Sequence, residues 1–165
     1  MELYILRHAE AVERGSNAIL RDADRPLTEN GVKKMTRVAK AMGKMGLSFD
    51  AILSSPYVRA RDTAGIVSDV LDCSRLITTT PHLAANAHPE TLVKEIIEDY
   101  PNSRSLLLVG HEPFLSGLIS ILISGRRDSI VTLKKSGLAK LSVENLKYGK
   151  CAVLDWLMGP AQVLP

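Results

Sequence analysis

The chain has 165 residues, 45% of them hydrophobic, 24% charged and 4% aromatic, with a formal net charge of +3. That length supports one hydrophobic core without disulfide staples, so a single domain over 1–165 is expected. The small charge, spread over short pairs (Lys33-Lys34, Arg126-Arg127, Lys134-Lys135), and the scarcity of aromatics argue against nucleic-acid binding, and two distant cysteines, Cys73 and Cys151, exclude a cysteine-rich zinc site.

ELYILR (2–7) is a compact run of strand formers and the first expected strand; no basic n-region or cleavage site marks it as a signal peptide. Over 29–46, Val32, Met35, Val38, Met42 and Met45 recur at spacings of three and four between lysines, which predicts an amphipathic helix. Thr28 is its expected N-cap and Gly46 its stop. AILSS (51–55) is the second strand. A helix follows over 55–71, capped by Ser55, with Pro56 at N1 and Ala60, Ala64, Val67 and Leu71 on the buried stripe. Residues 78–80 and His82 read as strand and turn material.

ETLVKEIIEDY (90–100) puts Leu92, Val93, Ile96, Ile97 and Tyr100 on one helical face before Pro101. SLLLVG (105–110) is the clearest strand. The next helix, 111–125, has Pro113 near N1 and is apolar almost all round, so deep burial is expected. Its apolar core, 114–124, is shorter than the roughly 20 residues of a membrane span, and a cytoplasmic chain with no membrane partner is expected. GLAKLSVE (137–144) and CAVLDWLM (151–158) read as an edge hairpin joined by NLKYGK. Strands that are apolar at consecutive positions, alternating with helices, predict an α/β fold. The expected form is a three-layer α/β/α arrangement with a mainly parallel sheet and an antiparallel edge.

In open α/β sheets, ligands gather at the carboxyl ends of the strands, where helix N-termini favour anions. Arg7 and His8 follow the first strand, Ser55, Pro56 and Arg59 the second, and Gly110, His111 and Glu112 the third. Singly, each of these residues has an ordinary structural explanation. Together, two guanidinium forks matched to phosphate oxygens and two imidazoles are brought to one sheet edge.

LRHAE, SSPYVRARDTA and VGHEP, in that order, resemble the three signatures of the histidine phosphatase superfamily, the phosphoglycerate mutase-like clan. The short chain and the DADRPLTENG stretch most resemble its SixA-type phosphohistidine phosphatases. The resemblance implies a phosphoglycerate mutase-like fold without a large helical insertion. It also implies that His8 is a nucleophile that becomes transiently phosphorylated, with Arg7, Arg59 and His111 completing the phosphate pocket. Two departures stand out: Ala9 replaces the usual glycine, where its methyl could tighten the pocket, and Asp62 replaces a common glutamine, adding negative charge near Arg59.

These roles suit phosphoryl transfer, in which a neutral imidazole attacks in line while donors hold the equatorial oxygens. Arginines supply the neutralising charge, so neither metal nor cofactor is expected. The general acid that larger relatives carry has only loose candidates here: Asp22, Asp24, Glu10, His88 and Glu90. Without a strong acid, the protonated or easily protonated imidazole of a phosphoramidate leaves more easily than an alkoxide, so the expected substrate is protein phosphohistidine, with inorganic phosphate as product. The competing readings are a phosphatase of small phosphate esters and a non-catalytic phosphate-binding module, though a binder has no need of a nucleophile. His8-Ala9-Glu10 and His88-Pro89-Glu90 match the HxE of zinc deaminases, but the PCxxC partner is missing; GxSxG is missing too.

Overall fold

Leu3, Tyr4, Ile5 and Leu6 are all buried because the strand that carries them has helices on both of its faces. In this computed structural model, which describes residues 1–15, 21–73, 77–128 and 131–163, that strand is β1 (Glu2–Arg7). The other strands are β2 (Ala51–Ser54), β3 (Ile77–Thr79), β4 (Ser105–Gly110), β5 (Leu138–Val143) and β6 (Ala152–Met158). They form one sheet in the order β3-β2-β4-β1-β5-β6. The first four are mutually parallel, while β5 runs antiparallel to β1 and β6 antiparallel to β5. The expected antiparallel edge is therefore the β5-β6 hairpin.

Alternate strand residues feed two separate cores. Leu3, Ile5, Leu53, Leu106 and Leu108 pack against α3 (Pro89–Asp99) and α4 (Phe114–Ser124). Tyr4, Leu6, Ile52, Leu107 and Val109 pack against α1 (Glu29–Lys44) and α2 (Val58–Val70). A short α5 (Pro160–Val163) buries Val163 in this second core. No helix among the described residues is long and apolar enough to cross a membrane.

The helix boundaries follow the sequence signals with some exceptions. Thr28 caps α1 by accepting from the Gly31 amide at 2.9 Å, and the chain leaves the helix at Gly46. Val32 and Met45, expected on the buried stripe, are exposed. In the first turn the inward contact is made by Gly31, whose missing side chain admits the Glu10 carbonyl, so Val32 is rotated outward; Met45 lies beyond the last helical residue. Ile97 is likewise exposed, because Pro89, Leu92, Val93 and Ile96 already fill the inward face of α3. Ser55 does not cap α2, which starts at Val58 with Tyr57 as N-cap; its hydroxyl is used in the site instead. Pro113 is the N-cap of α4 rather than its first residue, and Phe114 through Leu122 are buried as expected.

Candidate active site

β1, β2 and β4 end side by side, so their parallel register fixes where the chemistry falls. Arg7 pairs with Gly110 across the β1-β4 ladder, and Ser54 pairs with Val109 across β2-β4. The residues immediately following therefore converge, and Arg59 reaches the same place from the first turn of α2. Arg7, His8, Arg59 and His111 all line one pocket of about 300 Å³, together with Asp22, Arg14, Arg25, Glu112 and Lys135. His8, Arg59 and His111 are 7%, 3% and 1% exposed.

The tautomer of His8 follows from its partners. Its Nδ1 lies 2.7 Å from the Ala9 carbonyl, which can only accept, so Nδ1 carries the proton. Nε2 is left with a free lone pair and accepts from Arg59 Nε at 3.3 Å. Burial, joined by the charges of Arg59, Arg7 and Lys135 and opposed by the Ala9 hydrogen bond, depresses the His8 pKa to about 4. The ring is thus neutral at physiological pH, with the lone pair placed among the cations.

His111 packs 5.0 Å from the His8 ring, centroid to centroid, and 4.8 Å from Tyr57. Its Nε2 shares a hydrogen bond of 2.8 Å with Ser55 Oγ, while buried Nδ1 has no partner among the described residues. Burial, with the neighbouring His8 and Arg59, lowers its pKa to about 3. Arg7 is anchored by Nη1 donating to the Leu133 carbonyl at 2.8 Å, and its buried Nε has no partner among the described residues.

Asp22 organises the cationic wall. Its backbone carbonyl and its Oδ2 accept from Arg59 Nη1 and Nη2 at 2.6 and 3.1 Å. Its Oδ1 is shared by Arg14 at 3.2 Å and Arg25 at 2.9 Å. Partial burial raises the carboxyl, but bonds and charges from Arg14, Arg59 and Arg25 overcome it and bring the pKa down to about 2. Asp22 is therefore a carboxylate that orients guanidiniums, not a proton store at neutral pH.

The other acid candidates lie outside the pocket. Glu10 accepts from Thr28 Oγ1 and Asn30 Nδ2 and braces the start of α1. Asp24 pairs with Arg21 on the surface. His88 lines an adjoining pocket with Arg127, and Glu90 is exposed on α3. Glu112 does line the site, but its oxygens accept from Ser116 and from the Leu133 amide.

Two expectations about departures are corrected. Ala9 is absent from the pocket wall and fully buried in the core beneath α1 and α2, so its methyl fills core volume rather than narrowing the site. Its amide donates to Thr63 Oγ1, which in turn donates to the Arg59 carbonyl, tying β1 to the helix behind Arg59. Asp62 is exposed on the outer side of α2, where its carboxylate is bonded by the Leu27 backbone; it does not face the pocket. The Lys134-Lys135 pair reads from sequence as solvated or as a docking surface for an acidic partner; Lys135 is exposed and lines the site, as do Arg14 and Arg25, which sequence reasoning passed over. Arg25 had one signal, its place in the DADRPLT stretch; for Lys135 the sequence did not show its place at this site, because only the β1-β5 pairing brings it there.

Residues 3–85 match the family model described as the histidine phosphatase superfamily (branch 1). An uncharacterized protein of Picosynechococcus sp. is 33% identical over 86% of this chain and 84% of its own length. The phosphohistidine phosphatase SixA of Escherichia coli is 24% identical over 99% of this chain and 96% of its own. Among solved structures, the protein histidine phosphatase SixA complexed with tungstate superposes with a TM-score of 0.84 at 22% identity, covering 98% of both chains. The fold is thus the phosphoglycerate mutase-like fold of that SixA structure.

Proposed function

The chain belongs to the histidine phosphatase superfamily, and from that premise we propose that it hydrolyses protein phosphohistidine through a phospho-His8 intermediate. The observation that carries this reading is the His8 tautomer. Nδ1 is committed to the Ala9 carbonyl, and Nε2 lies unprotonated beside Arg59 Nε. In the first step Nε2 attacks phosphorus in line on a phosphohistidine whose other ring nitrogen is protonated, the P–N bond breaks with its electron pair going to the leaving nitrogen, and the imidazole departs neutral, keeping that proton. In the second step water attacks phospho-His8, releasing inorganic phosphate and restoring the neutral ring. Arg7, Arg59 and His111 hold the equatorial oxygens, and the arginines meet their charge without a metal ion.

A P–N substrate is favoured by what the carboxyls do. Asp22 is held ionised, and Glu112 accepts hydrogen bonds at both oxygens, so neither is poised to protonate an alkoxide. A small phosphate ester remains the second reading, favoured by a pocket of about 300 Å³ that could hold a metabolite. The deciding experiment incubates the protein with labelled phosphohistidine protein and traps an acid-labile, base-stable phosphoenzyme. Label that persists in His8→Ala removes the nucleophile assignment. Turnover of phosphohistidine no faster than of metabolite esters removes the substrate assignment and leaves the intermediate standing.

A further inference from the structure

The segment leading into β5 is strapped to the Arg7-His8 corner. The Ser136 amide lies 3.2 and 3.3 Å from the Arg7 and His8 carbonyls, and the Leu133 carbonyl accepts from Arg7 Nη1. The Leu133 amide is held in turn by Glu112 Oε1 at 2.9 Å. Lys134 to Gly137 form a tight turn, with the Gly137 amide donating to the Lys134 carbonyl at 2.7 Å. A side chain at Gly137 would strike that same carbonyl, and Ser136, buried, takes a left-handed φ of 59°. A non-glycine residue held there in a buried turn is strain that the surrounding bonds must sustain. The residue this turn presents is Lys135.

Lys135 lines the same pocket as His8 and Arg59, yet its ammonium has no ion pair or hydrogen bond among the described residues. The other cations of the pocket differ in this respect. Arg14, Arg25 and Arg59 all bind Asp22, and Arg7 binds the Leu133 carbonyl. We propose that Lys135 forms a second anion subsite beside the phosphoryl pocket, taking a carboxylate that the substrate carries near its phosphoryl group. Building on the reading above, the source of that carboxylate is an acidic residue flanking the phosphohistidine of the partner protein.

The subsite is tested by binding, independently of turnover. Calorimetry compares benzylphosphonate with its three carboxybenzyl isomers on the unmodified chain, Lys135→Gln and Lys135→Glu. At least one isomer gains about threefold to fivefold in affinity, the size of an ion pair at a solvent-facing wall, and the gain shrinks with added salt. Lys135→Gln abolishes the gain and Lys135→Glu reverses it. A gain that survives Lys135→Gln, or equal weakening of all four phosphonates, overturns the subsite while leaving the phosphoryl pocket intact. If no phosphonate binds, the phosphoryl pocket itself falls and the subsite with it. Phosphohistidine peptides with aspartate or alanine flanks then identify the source. A Lys135-dependent preference for the acidic flank supports the protein partner; its absence, with the phosphonate gain present, overturns that partner and assigns the carboxylate to a small molecule.

Discussion

The two ends of the sheet differ in a way that size alone would misrank. At the amino end lies the larger hollow, about 920 Å³, lined by Met1, Glu2, Arg104, Val143, Cys151 and Val153 among others. Several of the polar groups around it are paired: the terminal amine donates to the Val143 carbonyl, Asp50 caps the amides of Arg104 and Ser105, and Lys140 bridges Glu2 and Asp155. At the carboxyl end the pocket is about a third as large, 300 against 920 Å³. The three buried side-chain polar atoms without partners among the described residues are Arg7 Nε, His111 Nδ1 and Ser136 Oγ. All belong to this end. Unsatisfied buried polar atoms cost stability, so their concentration at one edge marks where the fold has been shaped by chemistry rather than by packing.

The sharpest way to break that contrast is at Arg59. Arg59→Ala should lower kcat by about 10²- to 10³-fold, the loss expected when one donor to developing charge is removed. Arg59→Lys should not restore it, because a point charge cannot both hold Asp22 and face His8 as the guanidinium does. Steady-state kinetics on an aryl phosphate checks both variants. Asp22→Asn comes next. As an orienting group Asp22 should cost about tenfold to a hundredfold in kcat/KM when neutralised, equally for good and poor leaving groups. A loss that grows with leaving-group pKa would instead make Asp22 the general acid, and the P–N preference would lose its support.

The carboxyl end was largely legible in the sequence because buried parallel strands are written as continuous apolar runs. ELYILR and SLLLVG could hardly be anything else, and whatever followed them had to meet at one edge. Arg7, His8, Arg59 and His111 were accessible for that reason. What was not legible depends on pairings distant in the chain. Nothing local in VTLKKSG shows that the Ser136 amide bonds back to β1, and so nothing places Lys135 in the pocket. The fate of Asp22 was equally hidden, since a carboxylate becomes an acid or an orienting group according to how many arginines reach it. Ser55 was misassigned as a helix cap because a serine before a proline carries that local signal, whereas the His111 ring offered its hydroxyl a tertiary partner.

Smaller in effect is the cost of keeping two imidazoles neutral. His8 and His111 titrate at about 4 and about 3 in the folded chain, below the ordinary histidine value of about 6.5. Between those values the unfolded chain binds more protons, so acid favours unfolding. The contribution is fully present above about pH 6.5 and is lost as pH falls toward 4 and then 3. Thermal melts from pH 3 to 8 should show this slope, and His8→Asn should flatten it. A slope unchanged in His8→Asn would mean that His8 is not held neutral by its site.

The amino end supplies the control. Asp50 Oδ2 accepts from the amides of Arg104 and Ser105 at 2.6 and 3.0 Å, closing the start of β4 from an exposed position. Asp50→Ala should therefore cost about 1 kcal/mol, seen as a melting point lower by about 2–4 °C for a chain of this size. Turnover per folded molecule should not change, because the ladders to β1 and β2 hold Val109 and Gly110 in place independently of the Asp50 contacts. If kcat or KM shifts by more than the loss of folded protein explains, the large hollow is coupled to the small pocket. The division of labour between the two ends would then fail at the strand they share.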